Sequence, residues 1–257
     1  MAPTGNGGWM LVGHSVMPGT ERRRVLVAKV DAQCHEIWRR IFIEAETAGG
    51  LYIARAPDGN FVLSGVVGES ENSDILLMKI DSDGKEIWRH RVGAPGTSDV
   101  NHGLVVRADG RIVVFGYTHS WGAVDNDLLA VTLTPDGDLI RHSVFGGQGD
   151  DRPILARVGP DGQVWVVGYT KSAGPGSDWD IIVAALDDAG LFEPGVAIIS
   201  GPLDDNGAAI LPLQGGDLMI GGYSASLGGA SADAFVMRIA RPDLNRADPR
   251  FIRRSAD

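Results

Sequence analysis

The sequence predicts an all-β fold of repeated four-stranded sheets, and three observations carry that prediction. An apolar strand ending in glycine, a polar loop, an aspartate and a second apolar strand recur about every 50 residues along the 257-residue chain. Asp-Gly dipeptides at Asp58-Gly59, Asp83-Gly84, Asp109-Gly110, Asp136-Gly137 and Asp161-Gly162 supply the positive φ that tight hairpins need. Glycine is abundant, at 36 residues, and falls at fixed intervals: the second strand of each unit ends at Gly13, Gly65, Gly116, Gly168 and Gly222. Short β-rich runs separated by turn dipeptides read as a meander. One such unit cannot bury its own two faces, so five units imply a five-bladed β-propeller.

Taken in chain order, the strands of each unit are A to D. Blade 2 covers 49–93, blade 3 99–146, blade 4 151–200 and blade 5 205–246. Blade 1 opens at residue 8 directly with a strand B, GWMLVGHS, and its A strand is expected from the C-terminus. FIRRSAD (251–257) aligns with YIARAPD (52–58), a true strand A. Blade 1 is therefore read as 8–43 plus 248–257, with blade 5 left three-stranded. The competing alignment makes RFIRR strand D of blade 5. Losing an inner strand exposes more unpaired backbone than losing an outer one, which favours the strapped ring and predicts that deleting 248–257 unfolds the protein. The A–B and C–D turns fall on one face, and the long, varied B–C and D–A loops fall on the other, where function is expected.

Composition narrows the function classes. Hydrophobic residues make up 44% of the chain, enough for a single domain with a core of its own. Cys34 is the only cysteine, so no intrachain disulfide can form. Net charge is −10, which argues against a nucleic-acid partner. No apolar run has membrane-spanning length, and the N-terminus lacks the basic flank and apolar run of a signal peptide. The compartment stays open: cytoplasmic by default, exported if a leader has been removed. Charge is uneven, since residues 1–40 and 238–257 hold 12 Lys/Arg against 6 Asp/Glu.

The repeat resembles a widespread bacterial and archaeal propeller family. Its unit runs D-x-A-x-S-I-x-x-T-x-D-G-G-Y-I-V-A-G-Y-T-x-S, then D-x-W-L-x-K-x-D-x-x-G-x-x-x-W-x-x-x-x-G-G. The matching residues are Asp109-Gly110, Gly116-Tyr117-Thr118 and Ser120; Gly168-Tyr169-Thr170 and Ser172; and Asp74, Lys79, Asp81, Gly84 and Trp88. The resemblance covers nearly the whole chain and implies the propeller fold. It also implies export and adhesion or binding contexts, without assigning a chemistry.

Three functions follow from the loops. The first is a binding module for a small molecule, glycan or peptide, on the loops of blades 3 and 4, with His119, Trp121, Asp125, Arg152, Lys171 and Trp179 as ligand contacts. Convergent aromatic and ionisable groups are what such a pocket requires. The second is an enzyme (hydrolase, lyase or isomerase) in the same pocket, with His102 or His119 acting as acid–base groups beside Asp99, Asp127 or Asp151. No nucleophile or metalloprotease motif is present to specify it. The third is a docking subunit whose arginine seam, Arg22, Arg23, Arg24, Arg250, Arg253 and Arg254, meets an acidic protein partner.

Carboxylates repeat across the blades. Asp74, Asp127, Asp180 and Asp233 open strands C, where blade 1 has Arg24. Asp99, Asp150-Asp151, Asp204-Asp205 and Asp248 precede strands A. Each serves its own turn, or the second set rings a central funnel. No cofactor and no metal ligand set is predicted, with calcium the one ion such carboxylates could serve. Trp38 and Trp88, in strands D, are read as packing between blades.

Overall fold

The computed structural model describes residues 1–42, 46–69, 72–174, 178–227, 232–240 and 252–256. Five antiparallel sheets account for all the strands among them. The first contains β1 (Ala2–Pro3), β2 (Trp9–Val16), β3 (Arg23–Val30) and β4 (Glu36–Phe42); the second contains β5 (Ala48–Arg55), β6 (Phe61–Glu69), β7 (Asn72–Ile80) and β8 (Glu86–Val92). The third runs through β9 (Asp99–Val106), β10 (Ile112–Thr118), β11 (Asp127–Leu133) and β12 (Leu139–Gly146); the fourth through β13 (Asp151–Val158), β14 (Val164–Thr170), β15 (Asp180–Leu186) and β16 (Phe192–Ile199). The fifth holds β17 (Asp205–Pro212), β18 (Leu218–Ser224) and β19 (Asp233–Ile239), three strands among the described residues.

The C-terminal strand departs from expectation. β20 (Ile252–Ala256) pairs antiparallel with β12, from Gly146↔Ile252 to His142↔Ala256, and so adds a fifth strand to the third sheet. It closes neither the first sheet nor the fifth. The first sheet already has its inner strand, because β1 occupies that edge of β2 with Ala2↔Met10 and Pro3↔Trp9. Ala2 is buried in the core, and Thr4 N–H closes the connection on the Gly8 carbonyl at 3.0 Å. A strand pattern says that a segment can pair, whereas the unpaired edge available decides with what.

The chain divides into two compact units, Met1–Val114 with Leu133–Leu139, and Phe115–Thr132 with Ile140–Asp257. The core of the first gathers Met10, Val25, Val27, Phe61, Leu63, Leu76, Met78 and Ile80, with Trp38 packed against it. The core of the second gathers Trp165, Val167, Ile181, Val183, Ile210, Leu218 and Ile220. The glycines ending the strands B have a specific cause. Strands β5, β13 and β17 each carry a register shift, at Gly50/Tyr52, Pro153/Leu155 and Gly207/Ala209. These bulges press a carbonyl onto the paired strand, so a Cβ at Gly65, Gly168 or Gly222 would lie 2.0 Å from the oxygen of Gly49, Arg152 or Asn206. Beside the two-residue β1 there is no such bulge, and a Cβ at Gly13 would meet nothing within 4 Å.

The C–D turn of the second sheet closes on Asp81 with Gly84 at φ +78°, and a Cβ on Gly84 would strike the Trp38 ring at 2.7 Å. Trp38 thus packs under the turn of the next sheet. In the equivalent turn of the first sheet Cys34 takes the left-handed position itself, at φ 65°, and stays exposed.

Candidate functional site

The repeated carboxylates come first because they fix the loops around them. Asp99 and Asp151 are fully buried where they open β9 and β13; Asp127 is equally buried at the start of β11, and Asp74 nearly so in β7. They converge in pairs on a glycine. A Cβ on Gly146 would lie 2.2 Å from Asp127 Oδ1 and 2.9 Å from Asp151 Oδ2, and one on Gly93 would meet Asp74 and Asp99 in the same way. Asp151 accepts hydrogen bonds from the Thr170 hydroxyl, from Ser172 Oγ at 2.8 Å and from Gly147 N–H at 2.8 Å. Burial, helped by the Asp127 charge, pushes its carboxyl up to about 7 against those donors. Asp99 accepts from Ala94 N–H at 3.2 Å, and Arg91 Nε donates to Asp74. Asp99 and Asp151 thus tie the loops at Ala94 and Gly147 to the strands that follow them, and these buried carboxylates are not presented to solvent. Asp233 is exposed, and Asp248 lies outside the described residues.

Among the described residues no three His, Cys, Asp or Glu side chains converge as metal ligands. In an acidic groove of about 550 Å³ near Asp161, Asp187 and Glu193, Asp187 accepts its own turn's Ala189 and Leu191 N–H groups, and Glu193 accepts from Gln163 Nε2 at 2.7 Å.

Three of the expected ligand contacts do come together. Arg152, the second residue of β13, forms a two-pronged pair with Asp150 at 2.7 Å for both bonds. Its guanidinium lies over the Tyr117 ring, 4.9 Å from the centroid. Opposite it in the ladder is Tyr169, whose ring meets Trp179 edge-on at 4.6 Å, and Lys171 Nζ sits 4.4 Å from the Trp179 centroid. The pair with Asp150 raises the Arg152 guanidinium further, and burial raises the Tyr169 hydroxyl. Trp179 is pinned at its backbone: its N–H donates to Asp204 Oδ1 at 2.9 Å and its carbonyl accepts from Asp205 N–H at 2.6 Å. Tyr117, Asp150, Arg152, Tyr169, Lys171 and Trp179 are all half-buried. The result is a row of three aromatic rings and two cationic groups set on a fixed backbone. Sequence reasoning missed Tyr117, Tyr169 and Asp150 as members. The signal was present, since Gly-Tyr-Thr recurs at 116–118 and 168–170, and the second copy places Tyr169 opposite Arg152, the second residue of β13.

The other candidates lie apart from this row or are otherwise engaged. His119 is exposed, and its Nε2 shares a 2.5 Å hydrogen bond with Asn126 Oδ1 rather than with a carboxylate. Trp121 adopts φ 52° and stacks on His142 of β12 at 4.4 Å. Asp125 is exposed, its Oδ1 taking the next N–H at 2.9 Å. His102 is half-buried in β9. Of the arginine seam, Arg22 and Arg23 are exposed and Arg24 Nη2 contacts Met17 Sδ at 2.8 Å. Arg253 donates to the Phe192 carbonyl at 3.1 Å; Arg250 and the Arg254 side chain lie outside the described residues. The pairing of the C-terminal strand with the first sheet, which would gather these arginines, is not formed.

No protein-family model matches the chain, and no curated protein matches it in sequence. Among solved structures it is similar to a protein of unknown function from Bacteroides caccae, at 14% identity over 91% of this chain and 73% of that one, with a TM-score of 0.48. It is similar to the β-propeller domain of the Trilobed protease from Pyrococcus furiosus, at 9% identity over 90% of this chain and TM-score 0.49. The chain spans 65% of the length of that structure. A gluconolactonase from Xanthomonas campestris is similar at 16% identity, over 81% of this chain and 68% of its own, with a TM-score of 0.41.

Proposed function

We propose that this protein is a binding module, a five-bladed propeller whose blades are the five sheets, and that it holds a glycan on the row formed by Tyr117, Arg152, Tyr169, Trp179 and Lys171. One observation carries the reading: three aromatic rings and two cations adjoin there, half-exposed, on a backbone already fixed by Asp204 and Asp205. Sugar rings offer an apolar C–H face to an aromatic ring and a fringe of hydroxyls to charged groups, and this row supplies both kinds of partner. Its rigidity favours affinity, because little side-chain freedom is left to lose on binding. Arg152 is already neutralised by Asp150, which points to a neutral ligand rather than a polyanion. An acid–base enzyme at His119 has weaker support, since that ring is engaged by an amide.

The test is a titration of neutral pyranose oligosaccharides followed by tryptophan fluorescence. A saccharide that shifts the emission should lose at least about tenfold in affinity with Trp179→Ala and with Arg152→Ala, with folding unchanged. Binding that is indifferent to both substitutions, or no binding across the saccharide panel, overturns the reading.

A further inference from the structure

Between the third and fourth sheets an aromatic pair fills the contact, whereas beside the fourth and fifth sheets the described residues leave a space. In the filled one, Phe145 packs on Phe192 with centroids 5.5 Å apart, and both rings are fully buried. Counting back from Asp151 and Asp205, the residue equivalent to Phe145 is Ile199, and the one equivalent to Gly146 is Ser200. In the second unit a cavity of about 310 Å³ lies beside this smaller side chain, lined by Ile181, Ile199, Phe235, Met237, Ser226 and Asp205. That is roughly ten times a water molecule's ~30 Å³ share of the liquid.

Asp205 is the second observation. It is 3% exposed, and its Oδ1 has no hydrogen-bond partner among the described residues. The equivalent oxygen of Asp151 takes the Thr170 hydroxyl. The residue facing Asp205 in the ladder is Ser224, and its hydroxyl, unlike that of Thr170, makes no hydrogen bond to the Oδ1 of the carboxylate it faces. The close carboxylate packing seen around Gly146 also cannot form around a residue that has a Cβ. A buried carboxylate oxygen without a partner is costly, and a cationic ligand in the adjoining cavity would satisfy it.

We propose that this cavity is a second binding site, distinct from the surface row, for a small aliphatic ammonium ion: the nitrogen on Asp205 and the apolar body between Ile199, Ile181, Phe235 and Met237. The lining chemistry selects for that combination. A neutral apolar molecule leaves the carboxylate unsatisfied, and an inorganic cation leaves the apolar wall unused.

Isothermal titration of the full chain with n-butylammonium tests it, with 1-butanol as the uncharged match. Butylammonium should bind one per chain, and 1-butanol should bind at least about tenfold more weakly. Ile199→Phe, which restores the ring found at the equivalent position, should abolish binding while keeping or raising the melting temperature. Asp205→Asn should weaken binding at least about tenfold. No binding at millimolar concentrations, binding that survives Ile199→Phe, or butanol binding as tightly as the amine would each overturn the proposal. The first and third of these do not depend on any variant folding.

Discussion

Asp151→Asn offers a sharp test of the buried carboxyl pairs, because its effect should reverse with pH. Asp151 is fully buried, and its carboxyl rises from 3.8 to about 7, with burial the leading cause. Below the lower value both folded and unfolded chains hold the proton, and the group costs the fold nothing. Between the two values only the unfolded chain releases it, so stability falls as pH rises, and the loss is complete above about 7. At 1.36 kcal/mol per pH unit, that interval amounts to about 4 kcal/mol at most. Asparagine can keep the geometry: its Oδ1 can accept from Gly147 and Ser172, and its Nδ2 can donate to Thr170. Urea unfolding of both proteins, followed by tryptophan fluorescence at pH 4.5 and pH 8, isolates this group because other titrations cancel in the difference. Since pH 4.5 already lies above the lower value, the variant should gain on the native protein by up to about 3 kcal/mol between those two pH values. A gap that stays constant, or one that moves the other way, would show that Asp151 is held as a carboxylate by its three donors.

Three further outcomes follow from packing. Gly146→Ala should destabilise by about 2–4 kcal/mol by forcing Asp127 and Asp151 apart, whereas Gly13→Ala, with open space around it, should stay within about 0.5 kcal/mol; chemical denaturation compares them. Truncation before residue 252 removes only an outer strand from β12, so circular dichroism should show a retained fold and a melting temperature lowered by only about 2–4 °C. Lys79 is buried and bonds Asp58 at 2.8 Å and the Pro135 carbonyl at 2.7 Å. Asp58→Ala should therefore cost more than Lys79→Met, since the first strands a buried ammonium and the second leaves a carboxylate that water can reach; equal losses in thermal unfolding would refute this.

Much of the local structure was legible in the chain. Alternating apolar runs marked the strands, Asp-Gly marked turns such as the one at Asp58-Gly59, and the glycines closing strands B at Gly65, Gly168 and Gly222, though not at Gly13, marked a backbone approach that the bulges in β5, β13 and β17 explain. Ligand contacts were legible only in part. Arg152, Lys171 and Trp179 were readable as unusual residues on neighbouring loops, but the tyrosines that organise them were hidden inside a repeat that looked purely structural. His119 and Asp125 looked equally chemical and do not join that row.

By itself, then, the sequence determined which segments are strands, where the tight turns fall and how many sheets the repeats form, because those properties depend on neighbours along the chain and in the same hairpin. Only the tertiary structure decided that β20 pairs with β12, that Arg152 lies on Tyr117, and that a cavity lies beside Ile199. Each of these depends on an edge or a surface supplied by residues distant in sequence. Strand alternation specifies which face of a segment is buried, and it carries no information about the partner that buries it.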